Sequence, residues 1–134
     1  MKLFLDANVL FTAAHNPDGK SAFVIQLARE GKWEVVTSPF ALEEARRNLE
    51  AKFPDAVALL DGSMRSVALV PSAIEGHCPL DLPKKDVPIF LSALGAQCTH
   101  LLTGDWKDFG RFMNAPDETS GIIIQTVAEF LSNL

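Results

Sequence analysis

Lys2-Leu3-Phe4-Leu5-Asp6-Ala7-Asn8-Val9-Leu10 is a short apolar run that stops on an acid. A run of this length and kind reads as a buried β-strand over residues 2–5. Asp6 then stands at the strand's carboxyl end, a poor place for plain surface. The pattern returns far along the chain in Leu101-Leu102-Thr103-Gly104-Asp105, a strand over residues 100–103 followed by a second acid.

Between and around these strands the pattern alternates. Asn16-Pro17-Asp18-Gly19 is turn chemistry. Residues 21–30 read as an amphipathic helix closed by Gly31. Residues 33–37 form a second strand. Ser38-Pro39 opens the next helix, with serine as N-cap and proline at the first helical position. Leu42, Ala45 and Leu49 give that helix its apolar stripe. A helix over 54–64, a strand over 67–70 and a loop over 71–83 follow. Helices over 86–97 and 108–113, a fifth strand over 122–125 and a closing helix over 127–134 complete the pattern. Strands alternating with helices imply parallel pairing under helices on both faces. The expected architecture is therefore α/β: a three-layer α/β/α sandwich around a parallel sheet of about five strands, order 3-2-1-4-5. One domain over residues 1–134 is expected.

The composition agrees. The chain has 134 residues, 48% hydrophobic and 22% charged, enough for one sizeable core. Its net charge of −5, from 17 acids and 12 bases, argues against a broad basic surface for gripping nucleic acid. Cys78 and Cys98 are too few for a disulfide framework. An aspartate at position 6 interrupts the apolar start, and no run approaches the roughly 20 residues of a membrane span. A cytoplasmic protein with no membrane partner is expected.

The placement of the acids matters more than their number. Asp6 and Asp105 follow the first and fourth strands. Glu44 lies early in the helix after the second strand, and Asp86 opens the helix before the fourth. In a parallel sheet the strand carboxyl ends and helix N-termini gather on one edge, where open α/β folds bind ligands. Four carboxylates in one crevice repel and raise one another's pKa values. A hard divalent cation, Mg2+ or Mn2+, removes that cost. The chemistry this favours is metal-assisted phosphodiester hydrolysis. Each acid also has a simpler reading: Asp86 as a cap, Asp105 as a turn residue, Glu44 as solvated surface. Glu43 rivals Glu44, and helical periodicity does not choose between them.

These same residues carry a family resemblance that spans nearly the whole chain. Leu3-Phe4-Leu5-Asp6-Ala7-Asn8-Val9-Leu10 resembles the opening motif of PIN-domain proteins. Thr37-Ser38-Pro39 with Leu42-Glu43-Glu44 resembles the segment of the family's second acid, which falls on Glu44. Lys85-Asp86 with Pro88-Ile89 and Ser92-Ala93 resembles the third motif, with Asp86 as its acid. Leu101-Leu102-Thr103-Gly104-Asp105 resembles the fourth, and Asp108 matches a further acid that many members carry. Gly121-Ile122-Ile123-Ile124 and Glu129-Phe130-Leu131 resemble the usual close.

The resemblance implies a PIN-like nuclease domain and a metal-dependent endoribonuclease that hydrolyses RNA, single-stranded or structured. It implies Asp6, Glu44, Asp86 and Asp105 as catalytic metal ligands, joined by Asp108. Asn8, Ser38 and Thr103 would then orient these carboxylates or the substrate. Many small members are toxins of toxin–antitoxin pairs, so an antitoxin protein and a homodimer are the implied partners. Lys84, Lys85, Arg46 and Arg47 read first as solvated, and only second as phosphate contacts. Trp106 reads as packed under the closing helix, with stacking on an unpaired base as the lesser alternative. His100 reads as structural, and His77 beside Cys78 is a weak metal signal. The competing function is a non-catalytic PIN-like interaction module, against which the full set of acids counts. An aspartyl-phosphate phosphatase would need a second aspartate where Asn8 stands.

Overall fold

Leu3, Phe4 and Leu5 are all 0% exposed. Successive residues of a strand point to opposite faces, so burial of all three requires cover on both sides of the sheet. The computed structural model describes residues 1–73 and 75–134 and supplies that cover. Five strands form one parallel sheet: β1 (Lys2–Leu5), β2 (Glu34–Thr37), β3 (Ala68–Leu69), β4 (His100–Leu102) and β5 (Ile123–Gln125). Their order is β3-β2-β1-β4-β5, with Leu5 level with Leu102 across the central pair. The helices are α1 (Ala7–His15), α2 (Lys20–Arg29), α3 (Pro39–Lys52), α4 (Val57–Ser63), α5 (Val87–Gly95), α6 (Trp106–Phe109) and α7 (Val127–Ser132). They flank the sheet as a three-layer α/β/α sandwich, as the sequence pattern implies.

Local chemistry explains most boundaries. Ser38 accepts a hydrogen bond from the Ala41 N–H at 3.2 Å and caps α3, with Pro39 at its start. Past the end of α2, Gly31 has φ of 85°, the left-handed turn that glycine makes without a Cβ clash. Thr126 and Glu129 form a reciprocal capping box on α7.

Several expectations shift. The helix over 54–64 is α4 flanked by two short 3-10 turns. The third strand shrinks to two residues, both exposed, because it is the edge of the sheet. The loop over 71–83 has no regular structure where described, and Ile74 within it lies outside the described residues. The helix α1 has no counterpart in the sequence reading. It starts on Asp6 as N-cap and buries Val9, Leu10, Ala13 and Ala14 along one face. Among the described residues no helix is long and apolar enough to cross a membrane.

Trp106 corrects the preferred reading outright. It is 59% exposed and does not lie under the closing helix. That place is filled: Phe130 of α7 meets Trp33 edge-on at 5.0 Å and His100 at 5.1 Å. The inward aromatic of α6 is Phe109, fully buried.

Candidate metal centre

The site grows from the carboxyl ends of the two central strands. Asp6 caps α1, its Oδ1 accepting the Ala7 N–H at 2.7 Å. Its Oδ2 accepts the Thr103 hydroxyl at 2.8 Å and the Asn8 amide at 3.3 Å. Asn8 also donates to Thr103 at 3.2 Å and accepts the Gly104 N–H at 2.8 Å. One amide side chain thus ties the end of β1 to the turn after β4. Thr103 in turn accepts the Asp105 N–H at 3.1 Å. Asp105 caps α6 by accepting the Asp108 N–H at 3.0 Å.

Three of the expected acids come together most closely. Oxygens of Asp86, Asp105 and Asp108 all lie within 4.8 Å of one another. Asp86, at the start of α5, makes no capping bond with its side chain. Its Oδ2 is buried with no hydrogen-bond donor among the described residues. It approaches Asp108 oxygen to oxygen, an arrangement that needs a shared proton or a cation. Burial, and next the Asp108 carboxyl, push the Asp86 carboxyl up to about 7. The same contact, with Lys85, holds Asp108 below the ordinary range. Lys85 Nζ sits 3.3 Å from Asp108 Oδ2, so this lysine is both solvated and bound to the site.

Asp6 and Glu44 stand outside that close group, and Asp6 feels its charge. Burial pushes Asp6 up to about 6, against the bonds from Thr103 and Ala7, and the charges of Glu44 and Asp105 add to the rise. Glu44 is half-buried, whereas Glu43 is exposed and paired with Arg47 at 3.3 Å. Ser38 and Thr103 are fully buried and act on their neighbours rather than on anything in solvent. Arg46 is held by Asp61 at 2.7 Å, away from the acids. Burial lowers the His100 pKa, and its Nδ1 lies 2.8 Å from the Thr99 hydroxyl. Among the described residues His77 and Cys78 join no cluster of three ligands.

The donor set fits a divalent cation of the magnesium type. All donors are hard oxygens, the Asp86 carboxyl has one oxygen buried with no partner among the described residues, and several are crowded against their own charge. A hollow of about 830 Å³ lies elsewhere, between α2 and α4, bordered by Phe23, Leu59, Arg29 and Arg65.

No protein-family model matches the chain, and no curated protein matches it. Solved structures do. VapBC2 from Rickettsia felis, bound to a DNA fragment from its promoter, superposes with a TM-score of 0.66 at 16% identity, over 94% of this chain and 98% of that one. VapC20 from Mycobacterium tuberculosis, a toxin that cleaves the sarcin-ricin loop, gives 0.58 at 14% identity, over 78% of this chain and 91% of that one. VapBC-1 from nontypeable Haemophilus influenzae gives 0.58 at 14% identity, over 96% and 99%. The likeness shows the fold that the PIN resemblance implies.

Proposed function

We propose that this chain, built on the fold of the VapC proteins, is a metal-dependent endoribonuclease that hydrolyses RNA phosphodiester bonds. The observation that carries the reading is the Asp86 carboxyl group at the carboxyl edge of the sheet: it is grouped with Asp105 and Asp108, and its Oδ2 is buried with no hydrogen-bond partner among the described residues. Asp86, Asp105 and Asp108 would hold Mg2+ or Mn2+, with Asp6 and Glu44 completing the acidic site. When bound, such a cation supplies Lewis acidity and neutralises phosphodiester charge. Asn8 and Thr103 keep Asp6 in place, and Ser38 keeps the helix that carries Glu44 in place. Lys85 offsets the charge of Asp108 at the rim.

The reading extends to a toxin with an antitoxin partner, acting in the cytoplasm as a homodimer. Two of the matching structures are VapBC complexes. The hollow between α2 and α4, with Phe23 and Leu59 each 49% exposed, offers a protein partner an apolar seat.

The test is cleavage of single-stranded RNA by pure protein with magnesium or manganese. Chelation should abolish it, and Asp86→Asn or Asp6→Asn should lower it roughly 100-fold or more, since even indirect supports of a metal site are worth 10- to 100-fold. Both substitutions remove a charge from a buried position, so the folded state should survive them. Cleavage that persists in chelator, or in Asp86→Asn, overturns the reading.

A further inference from the structure

We propose that Trp106 is a stacking platform for one unpaired base of the RNA strand, seated at the edge of the carboxylate cluster. The proposal rests on the nuclease reading above and adds to it how the strand is held.

Tryptophan is a large residue that is highly buried on average. Trp106 is 59% exposed, although the fold has an aromatic-lined interior nearby. The exposure follows from what fills that interior, because Phe109 takes the inward position of α6 and Trp33 the place against Phe130. The indole is also seated. Its Cε3 lies 3.7 Å from where a Cβ on Gly110 would be, so the ring runs alongside a residue with no side chain to shade it. Trp106 is the residue after Asp105 and opens the helix that Asp105 caps, so its backbone starts at the edge of the acid cluster.

Lys107, the next residue, is exposed, and so are Lys84 and Lys85 on the turn before α5. Lys85 reaches Asp108 at 3.3 Å. An exposed π-face that starts one residue from the proposed phosphodiester-cleaving centre, with exposed lysines on the adjoining segments, suits single-stranded nucleic acid, base on ring and phosphates on cations. A paired base is already stacked and is not free to use it, so the platform selects loops and single strands.

The experiment compares wild type with Trp106→Phe, Trp106→Leu and Trp106→Ala, all at an exposed position that tolerates change. On single-stranded RNA, Leu and Ala should raise KM roughly ten-fold or more, with kcat changed far less, and Phe should restore most of the loss. Leucine keeps apolar bulk without a π-face, so a purely structural role would be satisfied by it. A set of RNAs with one abasic residue walked along the strand should show one position that raises the wild-type KM and leaves Trp106→Ala indifferent. Indole fluorescence, taken as wild type minus Trp106→Phe in magnesium, should be quenched by single-stranded RNA and not by duplex. Normal cleavage with no dependence on residue 106 overturns the platform and leaves the nuclease standing. Quenching without cleavage keeps the platform and removes the nuclease. Neither quenching nor cleavage in wild type overturns both.

Discussion

A carboxyl group on a residue that is only 4% exposed loses most of its hydration, and Asp6 is such a residue. Its folded pKa rises from 3.8 to about 6. Between these values the folded chain keeps a proton that the unfolded chain has already released. Stability therefore falls as pH rises through that window, by on the order of 3 kcal/mol once both forms are ionised. Asp6→Asn removes the titration while keeping an acceptor for the Ala7 N–H. In metal-free buffer the substitution should stabilise the protein by about 1–3 kcal/mol at pH 8 and by nearly nothing at pH 4. Urea unfolding at the two pH values checks this, and an equal difference at both contradicts it. The residue scale is also where sequence reading reaches its limit. The positions of Asp6 and Asp105 after apolar strands are plain in the chain. That Asp86, Asp105 and Asp108 form the close group, with Asp6 and Glu44 to one side, depends on rotamers and loop paths that no spacing encodes. Trp106 lies outside because other aromatics occupy the interior, a competition visible only in three dimensions.

At the scale of elements, α7 has six residues, too few to persist alone. Two things hold it: Phe130 against Trp33 and His100, and the box between Thr126 and Glu129. The box continues outward, Asn114 donating to Glu129 at 2.9 Å and Gln125 to Asn114 at 2.9 Å. Thr126→Ala should cost about 1 kcal/mol and lower Tm by about 3 °C, while Thr126→Ser should cost little. Calorimetry decides, and equal Tm values for the two variants would show that the cap contributes nothing. Elements with such punctuation were the legible ones: Ser38-Pro39 for α3, Gly31 for the end of α2, continuous apolar runs for β1, β4 and β5. The helix α1 escaped because its N-cap is Asp6 itself, so its first residues read as motif rather than as helix. The strand β3 was overdrawn because an exposed edge makes few contacts, and pairing with β2 stops after Leu69.

For the whole molecule, the net charge of −5 is unevenly shared. Without Asp6, Glu44, Asp86 and Asp105 the remainder sums to −1. A divalent cation at these acids therefore changes the crevice more than any rearrangement of surface lysines could. Manganese at 100 times its dissociation constant should stabilise the folded chain by about 2.7 kcal/mol. The gain should be larger at pH 8 than at pH 6, because protons compete for Asp6 and the Asp86–Asp108 pair. Thermal shift assays read it, and a shift of the same size in Asp86→Asn would place the metal elsewhere. The central strands β1 and β4 also bear on how the chain is made. Thr103 and Asp6, joined by a hydrogen bond, are 97 positions apart in sequence. During synthesis β1 emerges first and has no partner on one side until β4 has been translated. The acids that gather around Asp105 cannot assemble on a nascent chain that stops short of it. The acidic cluster therefore forms only when about four-fifths of the chain, through Asp108, is available to fold.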